Sequence, residues 1–205
     1  LRSAIADGAA DPWIGDERDR LVRALSSYSA AYAIEFGVEH DAVRLVGQDN
    51  LHRYAPLESV HVRLHEQDSA FDVLARVGAA RTAGARVVIS STPGESTFPD
   101  LLGWLDRLTQ TWGAGVEFIE ESDADLALAI GNGQVDRLRF AERGRVPQIL
   151  RESIGSSGVY IADAPVLAEG RIELLWYLRE QSISDDYHRY GNLGRRAKEE
   201  RRPVN

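Results

Sequence analysis

The 205-residue sequence contains no cysteine and no methionine, and Lys198 is its one lysine. The missing thiols exclude disulfides, thiolate metal sites and cysteine-nucleophile chemistry, and they point to a reducing, cytoplasmic setting. With the lysine close to the C-terminus, the body of the chain has neither a Schiff-base amine nor a phosphate-loop lysine. The absence of methionine predicts a piece of a longer or processed product. No apolar run approaches the ~18–20 residues of a membrane-spanning helix, and no signal-peptide pattern opens the chain. Asp and Glu number 32 against 24 Lys and Arg, for a formal net charge of -8. That balance lacks the cationic footprint of a nucleic-acid-binding domain, so no nucleic acid partner is expected.

Metal chemistry is also poorly provided for. His40, His52, His61, His65 and His188 are scattered without ligand spacing, and His65-Glu66 lacks a second histidine at position 69, which is Ser69. Asp123 and Asp125 follow Ser122 in what reads as the first turn of a helix, where the dipole favours carboxylates.

What the chain does have is 43% hydrophobic residues, enough for the core of one ordinary domain. Leu21, Leu25, Tyr28, Tyr32 and Ile34 fall near helical spacing, predicting a long amphipathic helix over 16–36 that stops at Gly37. Residues 39–54 carry no sustained period and read as a surface connector. Val60, Val62 and Leu64 alternate with His61 and Arg63, the pattern of a half-exposed strand. A helix over 70–83 ends at Gly84. The alternation then repeats: strand 86–90, helix 98–112, strand 116–120, helix 122–130, strand 135–140, helix 146–153 and strand 158–162. Short strands linked by crossover helices predict an α/β fold with a mainly parallel sheet. Residues 170–180 read as a further helix, with Ile172, Leu175, Trp176 and either Leu174 or Leu178 turned inward. Beyond it, 181–194 is an extended strap and 195–205 is expected to fray.

Two places carry candidate chemistry. Ser90, Ser91 and Thr92 open a hydroxyl-rich loop, 90–97, between a strand and a helix, where an open parallel sheet places an anion. The loop has no GxGxxG and no basic residue, and Glu95 adds like charge. The alternatives are an anion- or nucleotide-binding regulatory site and a plain capped turn. In the strap, Tyr187, His188, Arg189 and Tyr190 stand together between Asp186 and Gly191, followed by Asn192. Tyr and Arg suit interface anchors, and glycine permits close backbone approach. A strap over its own domain and docking onto another domain or subunit both fit this composition. An oligomerisation module, using the 172–178 face or the strap, is a third reading.

The run PVLAEGRIELLWYLREQSISDDYHRYGNLG at 165–194 closely resembles the C-terminal motif of the bifunctional bacterial proline-catabolic flavoenzymes called proline utilization A. The stretch YSAAYAIEFGVEHDAVRLVGQDNLHRYAPLESVHVRL at 28–64 resembles the entry to the extra C-terminal domain of the longer members. The resemblance implies a non-catalytic domain in a chain that also carries an FAD-dependent proline dehydrogenase and an NAD-dependent glutamate-semialdehyde dehydrogenase. It implies a Rossmann-like three-layer fold similar to the nucleotide-binding half of an aldehyde dehydrogenase, with no cofactor of its own. Domain bounds follow: 1–55 for helix and connector, 56–180 for the Rossmann-like body, 181–194 for the motif and 195–205 for the tail. The motif residues Asp186, Tyr187, His188, Arg189, Tyr190, Gly191 and Asn192 would cover the substrate tunnel at the neighbouring dehydrogenase module. The residues match the loss of a cofactor site. No lysine follows the strand at 86–90, and Ala141, Glu142 and Arg143 stand where that family has a phosphate-contacting turn of small and hydroxyl residues. A carboxylate there would repel a pyrophosphate.

Overall fold

A computed structural model describes residues 1–94, 98–112, 115–188 and 191–201. The chain opens with α1 (Arg2–Ala6), α2 (Asp11–Ile14) and α3 (Arg18–Ala31), the last continued by one π-helical turn over Tyr32–Phe36. It proceeds through β1 (Gln48–Pro56), β2 (Val60–Arg63), α4 (Ala70–Ala83), β3 (Val87–Ser91), α5 (Pro99–Thr109), β4 (Val116–Glu120), α6 (Asp123–Gly131) and β5 (Arg137–Arg139). The last elements are α7 (Gln148–Ser153), β6 (Tyr160–Ala162), α8 (Gly170–Glu173) and β7 (Leu178–Asp186). Capping boxes fix two helix starts: Ser69 and Asp72 exchange hydrogen bonds at α4, as Ser122 and Asp125 do at α6.

The central sheet has the order β4-β3-β2-β5-β6, and its four pairings are all parallel. The strands run outward from β2 through β3 to β4, then resume on its other side with β5 and β6. The order therefore reverses between β2 and β5, which makes their carboxyl ends the topological switch point. Val60, Val62, Val87 and Ile89 face one core with α3, α4 and α5. Leu138, Phe140 and Ile161 face a second core with Leu126, Ile130 and Leu150 of α6 and α7. Helices cover both faces, so the α/β, three-layer, parallel-sheet expectation is met.

Three local expectations are corrected. Residues 39–54 are not wholly connector, and 170–180 are not one helix. Instead β1 and β7 form a separate antiparallel ribbon with nine residue pairs, from Gln48↔Asp186 to Pro56↔Leu178. Only α8 and a 3-10 turn over Leu174–Tyr177 are helical there, and Leu178 begins the strand. Beyond Leu178 no apolar stripe holds a helix against the core, so long-range pairing with β1 decides the conformation. Leu174 and Leu178 are both buried, where one or the other was expected, whereas Ile172 and Leu175, expected inward, are 46% and 42% exposed. The third correction concerns β2. His61 and Arg63 lie on the face opposite Val60 and Val62, yet that face is covered too, leaving them 6% and 2% exposed.

A buried polar cluster joins β5 to the C-terminal elements. Arg139 donates to both carboxylate oxygens of Glu173 at 2.9 and 3.1 Å, and to the Ala164 carbonyl at 2.7 Å. Glu173 also accepts from the Tyr177 hydroxyl at 3.2 Å and the Leu167 amide at 3.0 Å. Burial pushes the Glu173 carboxyl above its usual range, and the Arg139 guanidinium opposes that shift by pairing with the ionised form. The Tyr28 hydroxyl of α3 donates to the Leu167 carbonyl beside it. Gly170 lets α8 approach α3 closely: its amide donates to Ser27 Oγ at 2.9 Å, and a Cβ there would meet the Ser27 carbonyl oxygen at 2.5 Å.

Two stability predictions follow from this packing. Glu173→Ala strands the buried Arg139 charge and is expected to cost about 3–5 kcal/mol, with much of that recovered in Arg139→Met/Glu173→Leu, read by urea unfolding. Gly170→Ala meets backbone rather than a movable side chain, so it is expected to lower stability by about 1–3 kcal/mol in the same assay.

Candidate functional site

The carboxyl ends of β2, β3 and β5 are where an open parallel sheet of this order receives a ligand. Here those ends are occupied by arginine side chains. Arg76 projects from α4, whose residues around it are apolar and buried, and is itself 0% exposed. Its Nη1 donates to the carbonyls of Arg63 and Arg139, the last residues of β2 and β5, at 3.0 and 3.4 Å. Its Nη2 pairs with the buried Asp68 carboxylate. Asp68 receives a second guanidinium, Arg145 Nη1, at 2.8 Å, and that nitrogen also reaches Asp72 at 3.3 Å. The switch point thus holds an internally neutralised cluster of two arginines and two aspartates.

On the other face Arg63 fills the neighbouring crevice between β2, β3 and β4. Its Nη1 donates to Ser90 Oγ at 2.7 Å and to the Glu121 carbonyl at 3.0 Å, while Nη2 donates to Thr92 Oγ1 at 3.0 Å and Asp123 Oδ1 at 2.7 Å. Ser90 in turn donates to Glu121 Oε1 at 2.6 Å. The candidate anion loop is therefore assembled at the predicted strand end, but the hydroxyls of Ser90 and Thr92 are taken up by Arg63, and Ser90 and Ser91 are buried. Residues 95–97 of that loop lie outside the described residues. His61 sits beside this network, its Nε2 3.9 Å from Glu121, and burial lowers its pKa, so the neutral imidazole is favoured. Glu142, three residues past the end of β5, is turned outward and pairs with Arg145 at 3.2 Å.

Arg63, Arg76, Arg145 and Asp68 were not read as site residues from the sequence. The available signals were a polar residue inside a helix that is apolar on every side, and an arginine at the last position of a strand. Neither distinguishes a solvated side chain from one folded back onto strand-end carbonyls.

The strap is described over 181–188 and 191–194. Asp186 ends β7 and accepts from Gln48 Nε2 at 2.8 Å. Tyr187 closes a two-way contact with Gly47: its amide donates to the Gly47 carbonyl at 3.0 Å, and its hydroxyl oxygen accepts from the Gly47 amide at 2.9 Å. His188 Nδ1 lies 3.0 Å from the same carbonyl. Gly47 has φ +93°, and a Cβ there would stand 2.7 Å from His188 Nδ1, so both its conformation and its lack of a side chain are required. Arg196 stacks 3.8 Å over the Tyr187 ring and pairs with Asp49 at 2.7 Å. Arg201 joins Asp49 as well, and reaches Asp41 at 2.9 Å. Hydrogen bonds from Arg196 and Arg201 hold the Asp49 carboxyl down at about 2. Gly191 adopts φ +80°, and Asn192 Oδ1 accepts from the Gly194 amide at 2.9 Å. Arg189 and Tyr190 lie outside the described residues. The structure brings Asp186, Tyr187 and His188 together on the 47–48 turn, while Ser90 and Thr92 belong to the separate crevice around Arg63.

Among the described residues no group of three or more His, Cys, Asp or Glu side chains forms a metal site, and no helix is long and apolar enough to cross a membrane. No protein-family profile and no curated protein sequence matches the chain. Solved structures do. Proline utilization A from Corynebacterium freiburgense is similar over 84% of this chain and 14% of its own, at 26% identity and TM-score 0.56. A proline utilization A with proline bound in remote sites is similar over 78% of this chain and 18% of its own, at 16% identity and TM-score 0.58. A putative aldehyde dehydrogenase from Burkholderia cenocepacia is similar over 78% and 35% respectively, at 15% identity and TM-score 0.53. The chain spans between about one seventh and one third of the length of these structures. Its fold is of the aldehyde-dehydrogenase-related α/β type.

Proposed function

We propose that this chain is a non-catalytic domain of a larger proline-catabolic oxidoreductase, stabilising its parent and covering the substrate tunnel at the parent's aldehyde dehydrogenase module. The occupied switch point carries this reading. A dinucleotide at the carboxyl ends of β2 and β5 would have to displace Arg76 from two strand-end carbonyls and from Asp68. The hydroxyls of the adjacent loop are likewise committed to Arg63. The similarity to a short part of proline utilization A chains supports a place inside a longer polypeptide. The motif at 165–194 supports the position of that place, next to the dehydrogenase module. FAD and NAD then belong to the parent's other modules.

In this role the 47–48 turn holds the strap. Tyr187 and His188 dock on Gly47, and this anchor would set the direction in which Asp186 and the segment around Gly191 and Asn192 approach the neighbouring module. The anchor is therefore separable from the surface it presents, because Gly47 controls the former without belonging to the latter.

The occupied crevice predicts that calorimetric titration of the chain with NAD, NADH or ATP gives no saturable heat at millimolar ligand. A stoichiometric isotherm would replace the structural role with a regulatory one. The anchored strap predicts that Gly47→Ala or Tyr187→Ala in the full-length parent leaves proline oxidation within about twofold of the parent enzyme. Both substitutions should lengthen the lag in NADH formation severalfold when the two activities are followed in one sample. Unchanged lags in both variants would end the tunnel-cover reading.

A further inference from the structure

A parallel sheet is ordinarily covered by helices on both faces. On the face opposite α4 and α5 this sheet is covered only in part. Leu126 and Ile130 of α6 pack with Leu138 of β5 and Ile161 of β6, which leaves β3 and β4 open beside them. The opening is a cavity of about 590 Å³, within the size range of small-molecule sites, and Ala129 of α6 forms part of its wall.

Strand register lays out the floor of this cavity. His61 pairs with Val88 and Val88 with Glu117, so the three form a row across the strands. Side chains two residues apart share a face, so Glu117, Ile119 and Glu121 follow one another along the β4 side, and all three line the cavity. The sequence of groups is carboxylate, apolar side chain, carboxylate, with the two glutamates ~13 Å apart along the backbone. Val88 widens the apolar middle, while Arg86 and Glu58 line the amino end with opposite charges.

Two groups at the carboxyl end lack the partners that burial demands. The Glu121 side chain is 12% exposed, yet among the described residues its carboxylate receives one hydrogen bond, from Ser90 Oγ at 2.6 Å, and no guanidinium. Arg63 donates instead to the Glu121 main-chain carbonyl and pairs with Asp123. His61 is 6% exposed, and its Nδ1 has no hydrogen-bond partner. Its Nε2 stands 3.9 Å from Glu121, beyond hydrogen-bond distance. A buried carboxylate without a counter-charge, next to an imidazole with a free nitrogen, calls for one cation. Among the described residues no three His, Asp or Glu side chains converge as metal ligands, so a metal ion does not answer that call. An ammonium does, because it offers N–H donors to several acceptors at once.

We infer that this cavity binds a linear aliphatic diamine, with one ammonium between Glu121 and His61, the methylene chain over Ile119 and Val88, and the second ammonium on Glu117. A monoamine meets only one of the two carboxylates, and an amino acid brings a carboxylate of its own against them. The site lies on a different face from the Arg76 cluster and does not depend on the role proposed for the strap.

Calorimetric titration of the 205-residue chain with cadaverine at low salt is expected to give a one-to-one isotherm, with pentylamine binding about tenfold more weakly for want of the second ammonium. Glu121→Gln and Glu117→Gln keep the side-chain shape and should each weaken cadaverine about tenfold. Glu120→Gln removes the same charge from the opposite face of β4 and should leave the affinity within about twofold. Ala129→Lys is expected to abolish binding by placing an ammonium of the protein's own in the cavity, with circular dichroism unchanged. The His61 imidazole resonances should shift as cadaverine is added to the unsubstituted chain and stay still in Ala129→Lys. An absence of saturable heat with cadaverine would overturn the inference. So would equal affinities for cadaverine and pentylamine, or an equal loss in Glu120→Gln, since both assign the heat to diffuse attraction by the net charge of -8.

Discussion

A guanidinium taken out of water must have its donors satisfied, and the sheet of this protein is closed at its carboxyl end by meeting that demand. Arg63, Arg76 and Arg139 are its largest fully buried side chains. Each reaches strand-end or loop carbonyls that would otherwise be open to a ligand, and each is neutralised by a carboxylate from a different part of the chain. Arg63 takes Asp123, Arg76 takes Asp68, and Arg139 takes Glu173. These pairs specify which loops meet at the sheet's edge, because a partner placed elsewhere would leave a buried charge alone. Arginine suits the task better than lysine: its planar fork can hold several acceptors at once without being deprotonated. The composition, with one lysine among 24 basic residues, agrees with that use.

The same principle extends from the sheet to the ribbon. Glu173 is fixed by Arg139, and the residues that follow it turn through Tyr177 into β7. Arg137 supports that turn by donating to the Leu175 and Trp176 carbonyls at 3.0 Å each. The ribbon is thus launched from the core at Leu178 and Pro56, and its far end is secured by Tyr187 on Gly47. Asp49 then collects Arg196 and Arg201, which lays residues 194–201 back along the ribbon. The ribbon is thereby held at both of its ends.

The fold was legible because its signals are local and repeated. Strand and helix alternate at short range from Val60 onward, and hydrophobic spacing alone distinguishes them. Ser69 and Ser122, each followed three residues later by aspartate, mark where two helices begin. The ribbon was not legible, because β1 and β7 lie more than a hundred residues apart and neither carries an apolar alternation of its own. Their pairing is written in main-chain hydrogen bonds, which every sequence offers. The site was half legible. Ser90, Ser91 and Thr92 do stand at a strand's carboxyl end, as the spacing required. That Arg63 would bind their hydroxyls depends on the covering of a sheet face by α6, a packing fact that the alternation of Val60, His61, Val62 and Arg63 does not contain. Arg76 was hidden for a related reason: within a helix, one polar residue among apolar ones reads as the solvent side until a whole-chain fold shows there is none.

These interactions also set what a nucleotide would have to displace at the switch point of this fold. Stripping one partner from a buried ion pair costs about 3–5 kcal/mol, and each ~1.4 kcal/mol is a tenfold change in an equilibrium constant. A phosphate entering at the switch point would have to separate Arg76 from Asp68 or compete with Asp68 and Asp72 for Arg145. Either route would weaken binding there by about two to four powers of ten. The carboxylates cannot be made helpful by small movements, since Asp68 and Asp72 hold their positions through the same arginines and through the cap of α4. With the cluster in place, its guanidinium–carboxylate pairs tie the carboxyl ends of the strands to α4 and to the loop around Arg145.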